Sequence, residues 1–303
     1  MFKIINYIIT LLLPITPRFI IKIFANKYIA GVNSKQALKS IRTINRSNMK
    51  ATLDILGEHT QTKEEAIEIT QHYVKLLKQI NKQHLDCNIS IKPSHIGSDI
   101  DIDLLNENFK NITKEANRTN NFVRLDMEDN KLTNLTIKLF NDNYQDSKNI
   151  GIVFQAYLYR TKQDILNLDK GTNIRLCKGI YNESSSIAIK DPDKINQNYI
   201  KLLKLGFEKN IFIGIATHDK QLIDECCKII KEKNIDKSNF EFQVLYGVPI
   251  TKTIKKLLAN NYNVRVYVPY GRDWYKYSMR RLKENPNISK YILSNLFKKN
   301  FYK

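Results

Sequence analysis

Short apolar runs rich in β-branched residues recur along the chain, and each of them ends in polar residues or glycine. Runs of this length and composition predict β-strands. They are found at 51–57, 87–93, 121–127, 149–156, 173–179, 210–216, 240–247 and 263–269. The pattern therefore predicts eight strands with longer segments between them.

The longer segments carry apolar residues at helical spacing. In 63–82 a Thr62–Glu65 capping box marks where a helix begins. The apolar stripe of this helix consists of Ala66, Ile69, Val74, Leu76, Leu77 and Ile80. Segments 194–208 and 219–232 show the same character, so helices are predicted there as well.

Eight strands, each followed by a helix-length segment, are what a (β/α)8 TIM-type barrel requires. The roughly 250 residues from 51 to 303 match the usual size of that fold. We predict an α/β protein with a single catalytic barrel over 51–303, preceded by an N-terminal helical arm over 1–50. A doubly wound open sheet is the alternative arrangement of the same elements.

The chain is strongly basic, with a formal net charge of +19 from 49 Lys and Arg against 30 Asp and Glu. Such a balance raises the expectation of binding to nucleic acid or to an anionic membrane. The lysines, however, are spread over nearly every segment and form no basic arm. We therefore expect solvated basic helix faces and no nucleic-acid partner, while a weak attraction to anionic lipid stays open.

Cysteine usage predicts neither disulfides nor a metal site. Cys87, Cys177, Cys226 and Cys227 form no CxxC pair, and no histidine stands at metal-ligand spacing from them. This pattern is typical of a protein in a reducing compartment. The expected location is the cytoplasm.

An apolar segment at 2–21 is interrupted by Lys3, Pro14, Pro17 and Arg18. Its uncharged part is shorter than the roughly 20 residues needed to span a bilayer. A signal peptide is disfavoured because Pro-Ile-Thr-Pro is a poor cleavage site. We predict an arm that packs on the domain, and the alternative is an interfacial anchor that holds the protein on the inner face of the cytoplasmic membrane.

Polar side chains collect where the predicted strands end, which is the edge that carries the functional site in a β/α barrel. Gln155 and Arg175 stand out because they lie inside apolar runs, where a buried amide or guanidinium needs polar partners. The full set comprises Asp54, Glu58, Lys92, Asp126, Gln155, Arg175, Lys178, Thr217, His218, Tyr246 and Tyr267.

Single residues of this set also have structural interpretations. Lys92 could be a solvated loop lysine, and His218 could be a structural histidine with its hydrogen bonds satisfied. Asp126 could cap a helix or pair with Arg124. No residue of the set identifies a function alone.

Longer motifs occur in a fixed order along the chain. They are TLDILGE (52–58), SIKPS (90–94), VRLDMED (123–129), GIVFQAYLYRT (151–161), IRLCKGIYNE (174–183), ATHD (216–219), FEFQVLYGV (240–248) and RVYVPYGRDWYKYSMRRLKENP (265–286). In order and spacing they closely resemble the bacterial proline dehydrogenase family, with the resemblance beginning near KYIAG (27–31). The fold of that family, an FAD-containing β/α barrel, agrees with the strand count.

The resemblance implies oxidation of L-proline to Δ1-pyrroline-5-carboxylate, the first step of proline catabolism to glutamate, with FAD as cofactor and a membrane quinone as electron acceptor. The sequence has no GxGxxG and no GxxxxGKS motif, which disfavours a nicotinamide or P-loop nucleotide. The residues that the resemblance assigns to FAD are Met127, Gln155, Arg175, Lys178, Gly179, Ile180, Thr217 and His218.

The resemblance also implies a catalytic pair, Asp126 and Arg175, at the ends of different strands. We expect Asp126 to order the cationic groups around the substrate rather than to take a proton from carbon. The substrate-binding residues that it implies are Lys92, Leu245, Tyr267, Arg280 and Arg281, with the two adjacent arginines holding the carboxylate of proline.

Tyr267 is expected to select L-proline over 4-hydroxyproline. In the proline-using branch of the family a tyrosine packs here on the ring, whereas a hydroxyproline-using branch carries a smaller residue. The alternative activity is therefore oxidation of a related cyclic amino acid such as hydroxyproline, and the alternative class is a basic binding protein on a degenerate barrel. Ile180, Cys177 and Arg272 depart from the family pattern, and the first two are expected to alter packing near the cofactor.

Overall fold

A closed barrel of eight parallel strands forms the centre of the molecule. In the computed structural model, which describes residues 17–248 and 250–284, β1 pairs with β8 and closes the sheet. The strands are β1 (Lys50–Ile55), β2 (Cys87–Ile91), β3 (Val123–Leu125), β4 (Ile150–Gln155), β5 (Asn173–Cys177), β6 (Phe212–Ala216), β7 (Phe240–Leu245) and β8 (Val264–Tyr270). The predicted (β/α)8 fold is confirmed, and the open sheet is wrong.

Ten α-helices are found in the described residues, most of them between consecutive strands. They are α1 (Arg18–Tyr28), α2 (Ser34–Arg46), α3 (Lys63–Lys82), α4 (Ile102–Arg118), α5 (Asn130–Tyr144), α6 (Thr161–Leu166), α7 (Pro192–Glu208), α8 (Lys220–Glu232), α9 (Thr251–Ala259) and α10 (Trp274–Glu284). Short 3-10 helices lie at Pro93–His95 and Lys237–Asn239.

Helix α3 begins where its capping residues predict. The Thr62 side chain accepts a hydrogen bond from the Glu65 N–H at 3.2 Å. The Glu65 carboxylate accepts from the Gln61 N–H at 2.8 Å, one residue earlier than in the standard capping box. Four members of the predicted stripe are buried and two are half-buried: Ala66, Leu76, Leu77 and Ile80, and Ile69 and Val74.

Successive strand residues face two different environments, as the pleat of a strand requires. Outward residues such as Leu53 and Ile89 are fully buried between the strands and the helices. Burial of each such side chain contributes roughly 1.5–3 kcal/mol. Inward residues are largely polar: Arg175 of β5 bonds Gln243 of β7, a strand that is not its neighbour, so their contact crosses the inside of the barrel.

The N-terminal arm packs on the barrel in two places. Helix α2 lies against β1 and β8, with Leu38, Ile41 and Ile44 buried, and so covers the outer side of these strands. Helix α10, which follows β8, packs on α1, where Ile21 contacts Trp274. Residues 2–16 of the apolar segment lie outside the described residues, and none of the described helices is long and apolar enough to cross a membrane.

Candidate active site

Asp126 directly follows β3 and lies at the centre of a hydrogen-bonded cluster at the carboxyl ends of the strands. Its carboxylate accepts from Arg175 Nη1 and from Ser90 Oγ, each at 2.6 Å. The Tyr267 hydroxyl donates to its other oxygen at 2.8 Å. The structure thus brings both members of the predicted catalytic pair into direct contact, together with a predicted substrate-binding tyrosine.

The alternative pairing of Asp126 with Arg124 is wrong. Arg124 lies two residues earlier, and its guanidinium bonds the main chain and side chain of Asn173 at the start of β5. Side chains two residues apart on a strand share a face but differ in height along the barrel. Asp126 therefore belongs to the carboxyl-terminal mouth and Arg124 to the opposite end.

The electrostatic setting keeps Asp126 ionised. Burial alone would raise the pKa of Asp126, but the positive charges of Arg175 and Lys92 outweigh it and hold the pKa below its usual value. A carboxylate with a depressed pKa is a weak proton acceptor at neutral pH. Asp126 is accordingly suited to fixing cations in place and poorly suited to act as a general base.

Arg175 is fixed from several sides and is only 7% exposed. Its Nε donates to Gln243 Oε1 at 2.6 Å, and the guanidinium carbon lies 4.9 Å from the centre of the Tyr267 ring. Gln243 in turn donates to Glu241 at 2.8 Å, and Glu241 forms an ion pair with Arg265 at 2.6 Å. A polar network therefore continues from the mouth down the inside of the barrel.

Lys92, just past β2, forms a buried ion pair with Asp54 at the end of β1, with 2.8 Å between Nζ and Oδ1. The lysine side chain is 12% exposed, so the solvated loop interpretation is wrong. Burial would lower the pKa of Lys92, but the charge of Asp54 outweighs it and raises that pKa. A fixed positive charge therefore lies beside the Asp126 cluster.

His218 and Leu245 meet at the ends of β6 and β7. The Leu245 N–H donates to His218 Nε2 at 2.8 Å, which assigns the proton of the neutral ring to Nδ1. Burial lowers the pKa of His218 to about 4, so the imidazole is neutral at pH 7. His218 Nε2 thus has a structural role, because it accepts the Leu245 N–H. The Nδ1–H group is a hydrogen-bond donor at the same edge of the barrel.

Lys178 and Gln155 lie past the end of β5 and at the end of β4. Lys178 Nζ donates to Asp219 at 2.7 Å, and Gln155 Nε2 donates to the Glu128 carbonyl at 3.0 Å, next to Met127. The Thr217 hydroxyl accepts from the Asp219 N–H at 3.2 Å. These contacts place five of the residues predicted to contact the cofactor, His218 included, along one edge of the mouth: Met127, Gln155, Lys178, Thr217 and His218.

Gly179 and Ile180 continue this edge. Gly179 has φ +111°, and a Cβ there would lie 2.2 Å from the Tyr157 ring, so only glycine fits. Ile180 is 48% exposed. An exposed apolar side chain, that of Ile180, therefore lies at the mouth directly after Gly179.

Arg280 and Arg281 lie on α10, which confirms the predicted helix after β8. Their side chains fall outside what the structure describes. Their predicted contact with the carboxylate of proline stays a prediction.

Sequence reasoning did not single out Ser90 and Gln243, although both contact the catalytic pair. Ser90 stands two residues before Lys92, and Gln243 two residues before Leu245, so strand alternation places each on the inward face with a predicted site residue. Applying the alternation upstream of each strand end would have found them.

A closed β/α barrel with buried ions and hydrogen-bonded polar groups at its carboxyl-terminal mouth has the organisation of a barrel enzyme. The family model described as proline dehydrogenase matches residues 37–292. "Proline dehydrogenase 2" of Bacillus subtilis (strain 168) is 36% identical over 279 residues, 92% of each chain. "Proline dehydrogenase" of Deinococcus radiodurans is 32% identical over 280 residues, 90% of each chain. The chain belongs to the proline dehydrogenase family and is an oxidoreductase.

Solved structures share the fold. Proline utilization A from Bdellovibrio bacteriovorus, inactivated by N-propargylglycine, matches with a TM-score of 0.80 at 24% identity, over 92% of this chain and 34% of that chain. Proline utilization A from Corynebacterium freiburgense matches with a TM-score of 0.76 at 19% identity, over 97% of this chain and 34% of that chain. This chain thus corresponds to about a third of each of those proteins.

Proposed function

We propose that the protein oxidises L-proline to Δ1-pyrroline-5-carboxylate, the first step of proline catabolism to glutamate, with FAD as cofactor and a quinone as electron acceptor. The observation that carries the proposal is the buried pair of Asp126 and Arg175, 2.6 Å apart at the mouth of the barrel, in a chain of the proline dehydrogenase family. Proline is the compound that the names of its curated relatives specify.

The reaction removes two electrons and two protons from the substrate. A hydride equivalent leaves the ring carbon next to nitrogen and a proton leaves the nitrogen, so a C=N bond forms. The positive charges of Lys92 and Arg175 lie beside the place proposed for the ring. Asp54 holds Lys92 in position, and the ionised Asp126 holds Arg175. Arg280 and Arg281 supply the guanidinium groups proposed to hold the carboxylate.

The ends of β4, β5 and β6 fit FAD. When bound, FAD supplies the acceptor for the hydride equivalent. Arg175 and Lys178 bring positive charge to this edge, which favours a cofactor that gains negative charge on reduction. Gly179 lets the main chain turn at φ +111° against the Tyr157 ring, and the exposed Ile180 that follows offers an apolar surface to the rings.

Tyr267 supports L-proline rather than hydroxyproline as the substrate. Its hydroxyl donates to Asp126 at 2.8 Å, and the Arg175 guanidinium lies 4.9 Å from the centre of its ring. The side chain is therefore fixed both at its hydroxyl and on one face of its ring. A hydroxyl on the substrate ring that is pressed against this fixed tyrosine would lose its hydrogen bonds to water without gaining a partner.

Purified protein should carry a flavin absorption spectrum and should turn over L-proline with a soluble quinone analogue. The product should be two mass units lighter than proline, because two hydrogens are lost. NAD serves as the matched alternative acceptor. Equal turnover with NAD and with the quinone analogue would refute the proposal that a quinone is the acceptor. If neither acceptor yielded the lighter product, the proposed reaction would be refuted.

For the quinone we propose peripheral contact with the inner face of the cytoplasmic membrane. The net charge of +19 and the 66% exposed Phe19 on α1 support it, because basic charge and apolar contact add in binding to anionic lipid. Replacing the exposed Phe19 with serine should weaken binding to vesicles that contain anionic lipid, while the thermal unfolding midpoint stays unchanged. Equal vesicle binding by both forms would overturn the membrane contact.

A further inference from the structure

A cavity opens at the amino-terminal end of the barrel, opposite the candidate active site. Its volume is about 370 Å³, and several of its lining residues lie at or near the starts of strands, such as Lys50 of β1 and Asn173 of β5. Small-molecule sites typically measure roughly 300–1,000 Å³. We call this space the lower cavity.

Arg124 lines the lower cavity and is 2% exposed. Its guanidinium bonds Asn173 and the Ile152 carbonyl, and its Cζ lies 4.8 Å from the centre of the Phe122 ring. All of these partners are uncharged. Within the described part of the chain, Arg124 has no carboxylate at ion-pair distance, and its buried Nε has no hydrogen-bond partner.

The charge of the lining leaves one cation in excess. Lys50, Arg124 and Arg265 carry three positive charges, and Asp86 and Glu241 carry two negative charges. Glu241 attracts Arg124 electrostatically, but its ion pair, at 2.6 Å, is with Arg265, so one carboxylate serves two guanidinium groups. The ammonium of Lys50 forms no ion pair with any described residue.

The neighbouring strand leaves room for the Arg124 guanidinium, which has hydrogen bonds but, among the described residues, no ion pair. A Cβ at Gly151 would lie 2.5 Å from Arg124 Nη1, so glycine leaves the space that the arginine fills. A buried cation without a counter-charge is costly, because it loses its hydration and gains no ion pair. Burial accordingly lowers the pKa of Arg124 well below its usual value.

We infer that the lower cavity is a binding site for a small monovalent anion, such as chloride or formate, attracted by the positive charges of Arg124 and Lys50 in its lining. The anion neutralises the single excess positive charge of the lining. A divalent anion such as sulfate would leave an uncompensated negative charge in the cavity. This site is separate from the arginines proposed to hold the carboxylate of proline, and it does not depend on the proposed reaction.

Thermal unfolding of the purified holoenzyme tests the site. At constant ionic strength, sulfate is replaced stepwise by chloride or by formate, and a ligand that binds only the folded state raises the midpoint in a saturable way. The wild type should show this rise. Arg124→Gln should weaken the apparent affinity at least tenfold, and Lys50→Gln at least threefold.

Lys110→Gln is the matched control, since it removes an exposed lysine on α4 with the same change in charge. It should respond like the wild type. General salt effects and anion binding at the upper mouth are common to all variants, so the difference between them isolates the lower cavity. Equal responses of wild type and Arg124→Gln to both anions would overturn the inference.

If Arg124→Gln does not fold, the responses of Lys50→Gln and Lys110→Gln to the anions are compared instead. Lys50 lies at the rim of the cavity and Lys110 at the surface, so neither change disturbs the core. Equal responses of these two variants would overturn the inference. Crystals of the wild type soaked in bromide give a second measurement. An anomalous peak is expected inside the lower cavity, beside Lys50 and Arg124. A lower cavity without bromide at saturating concentration would contradict the assignment.

Discussion

Replacing Asp126 with asparagine separates charge from shape at the centre of the candidate site. The amide keeps the size of the side chain and can still accept a hydrogen bond from Ser90 or Tyr267. It removes the negative charge that lies 2.6 Å from Arg175 Nη1. Because Arg175 is 7% exposed, its charge would stay buried without its counter-ion.

Breaking one side of a buried ion pair costs about 3–5 kcal/mol. The bond from Arg175 to Gln243 survives, so we expect a loss of about 3 kcal/mol in the free energy of unfolding for Asp126→Asn. A hydrogen bond to a charged group contributes about 1.5–3 kcal/mol, which corresponds to a loss of about 10- to 150-fold in kcat/KM for L-proline.

Ser90→Ala is the matched control, because it removes one bond to Asp126 and leaves the ion pair intact. It should cost about 1.5 kcal/mol, the lower end of the range for a hydrogen bond to a charged group. Urea denaturation followed by circular dichroism gives the free energy of unfolding, and initial rates give kcat/KM. If Asp126→Asn lost no more stability and no more kcat/KM than Ser90→Ala, the pair would not have the role assigned to it.

Three further changes address other parts of the site and fold. Tyr267→Ser should shrink the preference for L-proline over 4-hydroxyproline, which we expect to be roughly tenfold or more in kcat/KM for the native enzyme; a preference near one in the native enzyme, or one that survives the change, would count against the assigned role. Arg281→Lys keeps the charge but loses the planar fork, so the KM for L-proline should rise several-fold, and an unchanged KM would remove Arg281 from the site. Burial lowers the pKa of His95 from 6.5 to about 3. As the pH falls, His95 is therefore protonated in the unfolded chain before it is protonated in the folded protein. The stability that neutral, buried His95 contributes is complete above pH 6.5 and is lost as the pH falls toward 3. His95→Gln should flatten the fall in the urea midpoint between pH 6.5 and 4, and an equally steep fall in both proteins would show that His95 is not its source.

The barrel could be predicted from sequence because each of its strands has a recognisable local sequence pattern. Each strand is a short β-branched run, and the polar residues at its end mark the edge that carries the site. The positions of α2 and α10 could not be predicted in this way. The contact of α2 with β1 and β8, and of α10 with α1, joins segments far apart in the chain, and no local pattern encodes it.

The partners inside the barrel show the same limit. Strand alternation puts Arg124 and Asp126 on one face, which left their mutual pairing open. Their actual partners, Asn173 and Arg175, lie at two different heights on β5, and that choice depends on how β3 and β5 are positioned across the barrel. The sequence of a single strand does not contain this information.

The most direct test of the central claim is an oxygen-free titration of the purified holoenzyme with L-proline, followed by the visible absorbance of its flavin. We predict complete bleaching, with one molecule of proline consumed for each bound flavin, because the proposed reaction transfers two electrons. A flavin that stays oxidised in excess L-proline, yet is bleached by a chemical reductant, would contradict the account.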